Sequence, residues 1–456
     1  MKTDVIVIGS GQAGVPLATR LAGAGRSVLL AEAGELGGTC VNDGCTPTKT
    51  MVASARAAHV ARSAGRLGVR TGGVEVDLRA VVDRKDAIVR QWRDGVAKSL
   101  SRAGERLTLV RGRARFVAER EIELGGQRHS AETVIVNVGC RPAVPPIPGL
   151  AEVSWLDNRS VMALQVLPRH LLVLGGGYIG CEFAQMFRRF GATVTVVDVL
   201  DRLLGLEDPD TSAALAEVFR AEGIALELGQ AAAAVESDGD GVRVRLKSGK
   251  AVQGSHLLVA VGRTPNTKDL GCDAAGIQLD ARGFIAVDDR YRTSAEGVFA
   301  VGDVTPGPQF THASWDDHRV LFEHLMGRPA RKRADRLVPI TAFTDPQVAR
   351  VGLTEEEAKA RGIAYEAASM PFGHIARAIE LDERAGTMKV LVDPSSERIL
   401  GASVVGAEAG ELIHVFVVMM QAGATARALV DAECVHPTFA EGLQSLVMRL
   451  GRYALA

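Results

Sequence analysis

Two stretches built to one plan decide how this chain is read: DVIVIGSGQAG at residues 4–14 and HLLVLGGGYIG at residues 170–180. In the first, the apolar run Asp4 to Ile8 predicts a strand that ends in Gly9, Gly11 and Gly14. Val15 to Leu21 then has helical spacing, and Ser27 to Leu30 predicts a second strand closing at Glu32. The second stretch repeats the sequence of events: a strand His170 to Leu174, then Gly175, Gly177 and Gly180, a helical run Glu182 to Phe190, and a strand Thr193 to Val197 closing at Asp198. In both, the acidic residue lies 18 positions past the third glycine (14 to 32, 180 to 198). The first glycine permits a tight turn, the second lets backbone approach a pyrophosphate, and the third lets the helix pack closely; the helix N-terminus offers N–H donors to phosphate, and the acid accepts from a ribose hydroxyl. One such pattern is weak evidence. Two in register predict two bound dinucleotides and a relay between them.

Working outward, 456 residues exceed one ordinary core, which implies several domains. Arg141 to Gly149 (RPAVPPIPG) reads as an extended crossover between them. Strand-like runs at Thr133 to Val138 and Leu257 to Val261 lead into Gly139 and Gly262, each followed by Arg and Pro, a second sign of two related folds. Val298 to Asp303 (VFAVGD) predicts another strand, and from about Val338 strands and helices alternate without a glycine fingerprint. Acidic and basic residues nearly cancel, 54 against 53, so no overall field draws nucleic acid or an anionic membrane. The N-terminus runs straight into the first strand, leaving no room for a signal peptide, and no run of about 18 apolar residues predicts a spanning helix. Leu412 to Met420, the most apolar candidate, reads as a buried helix. The expected compartment is the cytoplasm, with neither nucleic acid nor membrane as partner.

Residues 37–49, GGTCVNDGCTPTK, carry the chemistry. Six cysteines are too few for a disulfide scaffold, yet Cys40 and Cys45 are five apart. Asn42, Asp43 and Gly44 between them allow a tight, left-handed backbone that brings two sulfurs within bonding reach. Pro47 suits the first turn of a helix continuing through Thr50 to Ala58, which puts Cys45 at a helix N-terminus with Lys49 one turn on. Both features favour a thiolate. The competing readings are a buried apolar pair or half of a zinc site; zinc wants a second Cys/His pair at suitable spacing, and none is evident, so no metal site is expected. Cys140, Cys181, Cys272 and Cys434 read as small buried residues.

With these motifs the chain resembles, over essentially its whole length, the pyridine nucleotide-disulfide oxidoreductase family, the group of dihydrolipoamide dehydrogenase, glutathione reductase and mercuric reductase. The resemblance implies an α/β fold: two Rossmann-like dinucleotide-binding domains plus a C-terminal α+β dimerisation domain. Residues 1–148 and 271–337 would form the FAD-binding domain, 149–270 the NAD(P)H-binding domain and 338–456 the interface domain. It assigns Gly9, Gly11, Gly14, Glu32, Gly38, Thr39, Lys49, Gly139 and Asp303 to FAD, and Gly175, Gly177, Tyr178, Gly180, Asp198 and Gly262 to the nicotinamide nucleotide. Tyr178 would cover the flavin until nicotinamide displaces it, and Glu182 would pair with Lys49 near the flavin N5. The segment 436–441 (HPTFAE) resembles the family's HPTxxE motif, which makes His436 the acid/base, Glu441 its orienting partner, and the molecule a homodimer whose His436 serves the thiols of the other subunit. A histidine held by a carboxylate suits proton transfer to a leaving thiol.

Asp198 favours a free ribose hydroxyl and hence NADH over NADPH, while Arg202 on the same loop is the residue that could accept a 2′-phosphate. For the electron acceptor, a small disulfide ranks first. A metal ion such as Hg(II) or Cu(II) is the alternative, because Phe310 to Arg319 (FTHASWDDHR) and Phe372 to Leu381 resemble the mercuric reductase branch. The chain nevertheless has the HPTxxE histidine, and it ends GRYALA without a cysteine pair. Dihydrolipoamide dehydrogenase follows closely. A flavin redox sensor without efficient turnover and a simple NADH oxidase are the remaining readings.

Overall fold

The computed structural model describes residues 2–329 and 331–453. The chain forms two compact units: Met1–Thr50, Val82–Ala143 and Arg263–Val338 in the first, and Met51–Val81, Val144–Gly262 and Pro339–Ala456 in the second.

The first unit is built on a seven-stranded sheet. Leu107–Arg111, Val28–Glu32, Lys2–Ile8 and Gln127–Val136 run parallel in that order, with Val5 opposite Val28 and Val7 opposite Ile135. Val298–Ala300 pairs in parallel with the end of Gln127–Val136, while Glu121–Leu124 and Arg115–Ala118 extend its beginning antiparallel. Successive side chains alternate across the sheet. Val5 and Val7 therefore join one core with Leu17, Ala18 and Leu21 of helix Gly14–Gly23, and Ile6 and Ile8 join another with Phe116, Ile122 and Val134. Both faces are covered, which is why the strand reads as an unbroken apolar run. Each fully buried residue of this kind contributes about 1.5–3 kcal/mol.

In the second unit Ala225–Glu227, Thr193–Val197, His170–Leu174 and His256–Val259 form a parallel sheet in that order. Helix Tyr178–Phe190 follows the glycine turn, longer by one turn at its start than the predicted Glu182 to Phe190. A three-stranded antiparallel sheet spans Ala232–Gly254, and the C-terminal part holds a five-stranded one in the order Ile340–Ala342, Gln347–Gly352, Ile399–Gly406, Thr387–Val392, Glu366–Pro371. Helix Ala409–Ala422 lies on that sheet. It buries Leu412, Ile413 and Phe416, but Val418 is 66% exposed, so the apolar stretch expected to be buried has one covered face and one open. The 3.6-residue period dictates this when a helix meets a sheet on one side only.

A buried ion network ties these parts of the unit together. Arg189 makes paired bonds to Glu222 at 2.6 and 3.0 Å and also reaches Asp345, which Arg56 contacts at 2.6 Å. Burial pushes the Asp345 carboxyl up, but Arg189 and Arg56 more than offset it and hold the group below its ordinary range. Arg56 also binds Glu383 at 2.9 Å, so the middle of helix Cys45–Ser63 is anchored by charge to the C-terminal part. Among the described residues no helix is long and apolar enough to cross a membrane.

Candidate active site

The two glycine turns are near copies. Gly9 and Gly175 have φ of 105° and 108°, a region that side chains avoid. A Cβ on Gly14 would run into the Gly9 carbonyl oxygen, and one on Gly180 into that of Gly175. The acids at the strand ends also hold the turns. Glu32 accepts from Ser10 N at 2.8 Å, Ser10 Oγ at 2.6 Å and Gly34 N at 2.7 Å; Asp198 accepts from Gly176 N and, at 2.7 Å, from Leu200 N. Each carboxylate thus stands at the mouth of its turn, where a ribose hydroxyl would meet it. Gly139 and Gly262 follow the strands Gln127–Val136 and His256–Val259 as expected.

In the first unit the turn fits the dinucleotide part of FAD. Gly38 approaches so closely that a Cβ there would stand 2.7 Å from Gly11 Cα, which leaves backbone rather than side chains around the pyrophosphate position. Asn137, which the sequence reading missed, braces this turn: its Oδ1 accepts from Gly14 N at 2.9 Å and its Nδ2 donates to Val301 O at 3.0 Å. Asp303, in the turn after Val298–Ala300, is half-buried; burial pushes its carboxyl up, and Arg263, 3.7 Å away, partly offsets that.

Cys40 lies in the five-residue helix Gly38–Asn42, and Cys45 begins the 19-residue helix Cys45–Ser63. That helix starts where the sequence puts it, with Cys45 at its N-terminus, and runs past Ala58 to Ser63. The left-handed residues are not between the cysteines but before them: Gly37 has φ 99° and Gly38 φ 62°. Gly44 is required for space instead, since a Cβ there would stand 2.9 Å from Thr39 O and 3.3 Å from Cys40 Cα. Both cysteines stand as thiols, hydrogen-bonded to each other. Thr311 Oγ1 lies 3.0 Å from Cys45 Sγ and also bonds Cys40. The bond from Cys45, burial and the charge of Cys45 together push the Cys40 thiol far up, against a smaller downward pull from Thr311 and Lys49. Cys45, first in its helix, meets that helix dipole, which favours negative charge there.

At the first glycine turn, Ser10, Gly11, Gln12, Gly37 and Val41 line a cavity of about 430 Å³ together with Trp92 and Trp315; neither Cys40 nor Cys45 lines it. Trp92 and Trp315 are 56% and 49% exposed.

In the second unit Tyr178 donates to Glu207 at 2.6 Å, and Glu207 accepts from Arg350 at 2.8 Å; burial, then Glu207, push the Tyr178 phenol up. Glu182 is buried and accepts from Phe343 N at 2.9 Å. Arg202 donates in a fork to Glu356, at 3.2 and 2.7 Å. His436 Nδ1 meets Glu441 at 2.9 and 3.1 Å, and its side chain is 70% exposed. With Nδ1 donating to the carboxylate, Nε2 is the nitrogen left for proton transfer. Cys140, Cys181 and Cys272 are buried as expected; Cys434 is half-buried, in a segment outside helix and strand. Among the described residues no group of three or more His, Cys, Asp or Glu is placed to hold a metal ion.

Comparison with known proteins agrees with this geometry. Residues 3–317 match the pyridine nucleotide-disulphide oxidoreductase family and residues 338–447 its dimerisation domain. The chain is 37% identical to a dihydrolipoyl dehydrogenase of Thermus scotoductus, over 100% of this chain and 99% of the relative. It is 33% identical to a mercuric reductase of Staphylococcus aureus, over 97% of this chain and 81% of the relative. The solved Cu(II) complex of the HOCl-induced flavoprotein disulfide reductase RclA from Escherichia coli superposes with a TM-score of 0.90 at 33% identity, covering 98% of this chain and 99% of that one. The chain belongs to the pyridine nucleotide-disulfide oxidoreductase family and is an FAD-dependent, NAD(P)H-driven enzyme of the disulfide reductase type.

Proposed function

We propose that the enzyme takes electrons from NADH and reduces a small disulfide through Cys40 and Cys45, as a homodimer in the cytoplasm. The observation that carries this reading is the cysteine pair itself, with Cys45 first in helix Cys45–Ser63, Cys40 beside it and Thr311 Oγ1 3.0 Å from Cys45 Sγ. FAD, held by the first glycine turn and Glu32, would supply the two-electron chemistry that links nicotinamide to the Cys40–Cys45 disulfide. In the resulting dithiol, Lys49 and the helix N-terminus hold negative charge at Cys45. His436 of the partner copy takes the proton of the Cys40 thiol as Cys40 attacks one sulfur of the substrate to form a mixed disulfide, and returns it to the half expelled as a thiolate. The Cys45 thiolate then attacks the Cys40 sulfur, restores the disulfide and expels the second half as a thiolate, which takes one proton from solvent. Glu441 orients the imidazole throughout.

Steady-state NADH consumption with lipoamide, glutathione disulfide and other small disulfides tests it: turnover with at least one of them is expected, and turnover with none removes the disulfide reading. Reduction of Hg(II) or Cu(II) is the second reading, favoured by the likeness to a mercuric reductase and to a copper-bound reductase. It enters the same screen as NADH consumption driven by each ion.

The NADH preference rests on Asp198 at the turn and on Arg202 being engaged by Glu356. A 2′-phosphate would meet a carboxylate with no counter-charge released for it. The expected ratio of kcat/KM is on the order of 10- to 100-fold for NADH over NADPH, narrowed by Asp198→Asn. A higher rate with NADPH contradicts it.

A further inference from the structure

The hydroxyl that meets both redox sulfurs comes from neither cysteine segment. Thr311 lies 266 residues from Cys45 in sequence and is the first residue of the 15-residue helix Thr311–Leu325, with its Oγ1 3.0 Å from Cys45 Sγ. Cys45 is itself the first residue of helix Cys45–Ser63. Two helix N-termini are therefore brought together at one sulfur, one through its own backbone and the other through Thr311. Each favours negative charge there.

The Thr311 helix is firmly held. Its buried Asp317 accepts from Gly302 N at 2.6 Å, from the Tyr291 hydroxyl at 2.7 Å and from Arg336 at 2.6 Å. At its start the Phe310 and His312 rings stack, 5.4 Å between centroids with a 25° tilt. The hydroxyl is thus presented by a fixed turn rather than by a mobile loop. Within the chain, the charged groups that act on Cys40 are Cys45 and Lys49, and the 311 helix adds a hydroxyl and a dipole; in the proposed dimer the partner's His436 joins them.

We propose that Thr311 is a positioning residue for the redox pair: by donating its hydroxyl to Cys45 it fixes the thiolate on that sulfur and leaves the proton on Cys40. A hydroxyl can donate to a thiolate and accept from a thiol, so it follows the charge. It favours the ionised state of whichever sulfur it donates to, and the short contact selects Cys45. Cys40 then keeps its proton until substrate is engaged, which guards the outer sulfur against oxidation between turnovers. The proposal rests on Cys40 and Cys45 being the redox centre.

The test uses FAD-loaded protein in a Cys40→Ser background, so that Cys45 is the remaining sulfur of the pair, with the Cys40→Ser, Cys45→Ser double variant as blank. The ultraviolet absorbance of the thiolate is followed as a function of pH. Thr311→Val should raise the midpoint by roughly one pH unit, Thr311→Ala should do the same, and Thr311→Ser should restore it to within a few tenths. In protein with both cysteines, the acid limb of disulfide turnover should move upward by a matching amount. A midpoint unchanged in both Thr311→Val and Thr311→Ala overturns the role of Thr311, whereas full turnover by Cys45→Ser would instead overturn the redox pair itself. If Thr311→Val fails to fold, the Ala and Ser variants supply both outcomes.

Discussion

Cys45→Ser should lower disulfide turnover by on the order of 10³-fold or more, with FAD still bound and slow NADH oxidation by oxygen or ferricyanide retained. The reason is electronic and geometric together. Serine cannot form a bond that cycles with Cys40, and its hydroxyl does not ionise near neutral pH, so electrons arriving at the start of helix Cys45–Ser63 have no acceptor there. Cys40→Ser should be equally inactive toward disulfides for the complementary reason that no sulfur remains to attack substrate. The spared activity separates this loss from unfolding: Cys40 is half-buried and Cys45 is first in its helix, so neither hydroxyl replacement opens a core cavity. Rates with a small disulfide and with ferricyanide, measured on one preparation with its flavin content, check it. A Cys45→Ser variant that still turns over disulfide would leave a simple NADH oxidase or a different acceptor site as the explanation.

His436→Ala should cost roughly 10²- to 10⁴-fold in disulfide kcat/KM, the range for losing a positioned acid/base, and leave ferricyanide reduction intact. The geometry prepares this group: Glu441 grips Nδ1 through both oxygens, which turns Nε2 outward on an exposed side chain. Glu441→Gln keeps one hydrogen bond and should lose less. The dimer adds a sharper check. Mixing inactive Cys45→Ser and His436→Ala homodimers and allowing exchange creates heterodimers in which one site combines intact thiols with the other chain's intact His436. Recovery of roughly a quarter of wild-type activity is expected, because half the dimers are mixed and each has one competent site of two. No recovery after proven exchange would mean that His436 serves its own chain or none.

How legible this was depended on whether the physics was local. The glycine turns could be read because three glycines, a buried strand before them and an acid after them are all set within about thirty residues of chain. The structure repeats even the φ values, 105° and 108°. Gly44 shows where local reading stops. Its presence between the cysteines suggested a left-handed residue, whereas it is needed because Thr39 O stands where a side chain would go. A glycine announces either backbone freedom or close approach, and packing alone tells which. Asn137 and Thr311 left no readable signal: their partners Gly14 and Cys45 lie 123 and 266 residues away. Arg202 lies four residues past the nucleotide acid in sequence, and its bond to Glu356, 154 residues on, left no readable signal either. The apolar run at Leu412 to Met420 carried no marker of which face is covered, since both faces are apolar and only one meets the sheet.

The most direct measurement follows the two sulfurs themselves. Purified FAD-loaded protein, oxidised and then mixed anaerobically with one equivalent of NADH, is quenched in acid and alkylated after unfolding, and peptides bearing Cys40 and Cys45 are weighed. If these sulfurs are the gate for electrons, both should be blocked before NADH and both labelled after it, while Cys140, Cys181 and Cys272 stay unchanged. Oxidation of NADH with no change in labelling at Cys40 and Cys45 would contradict the assignment outright.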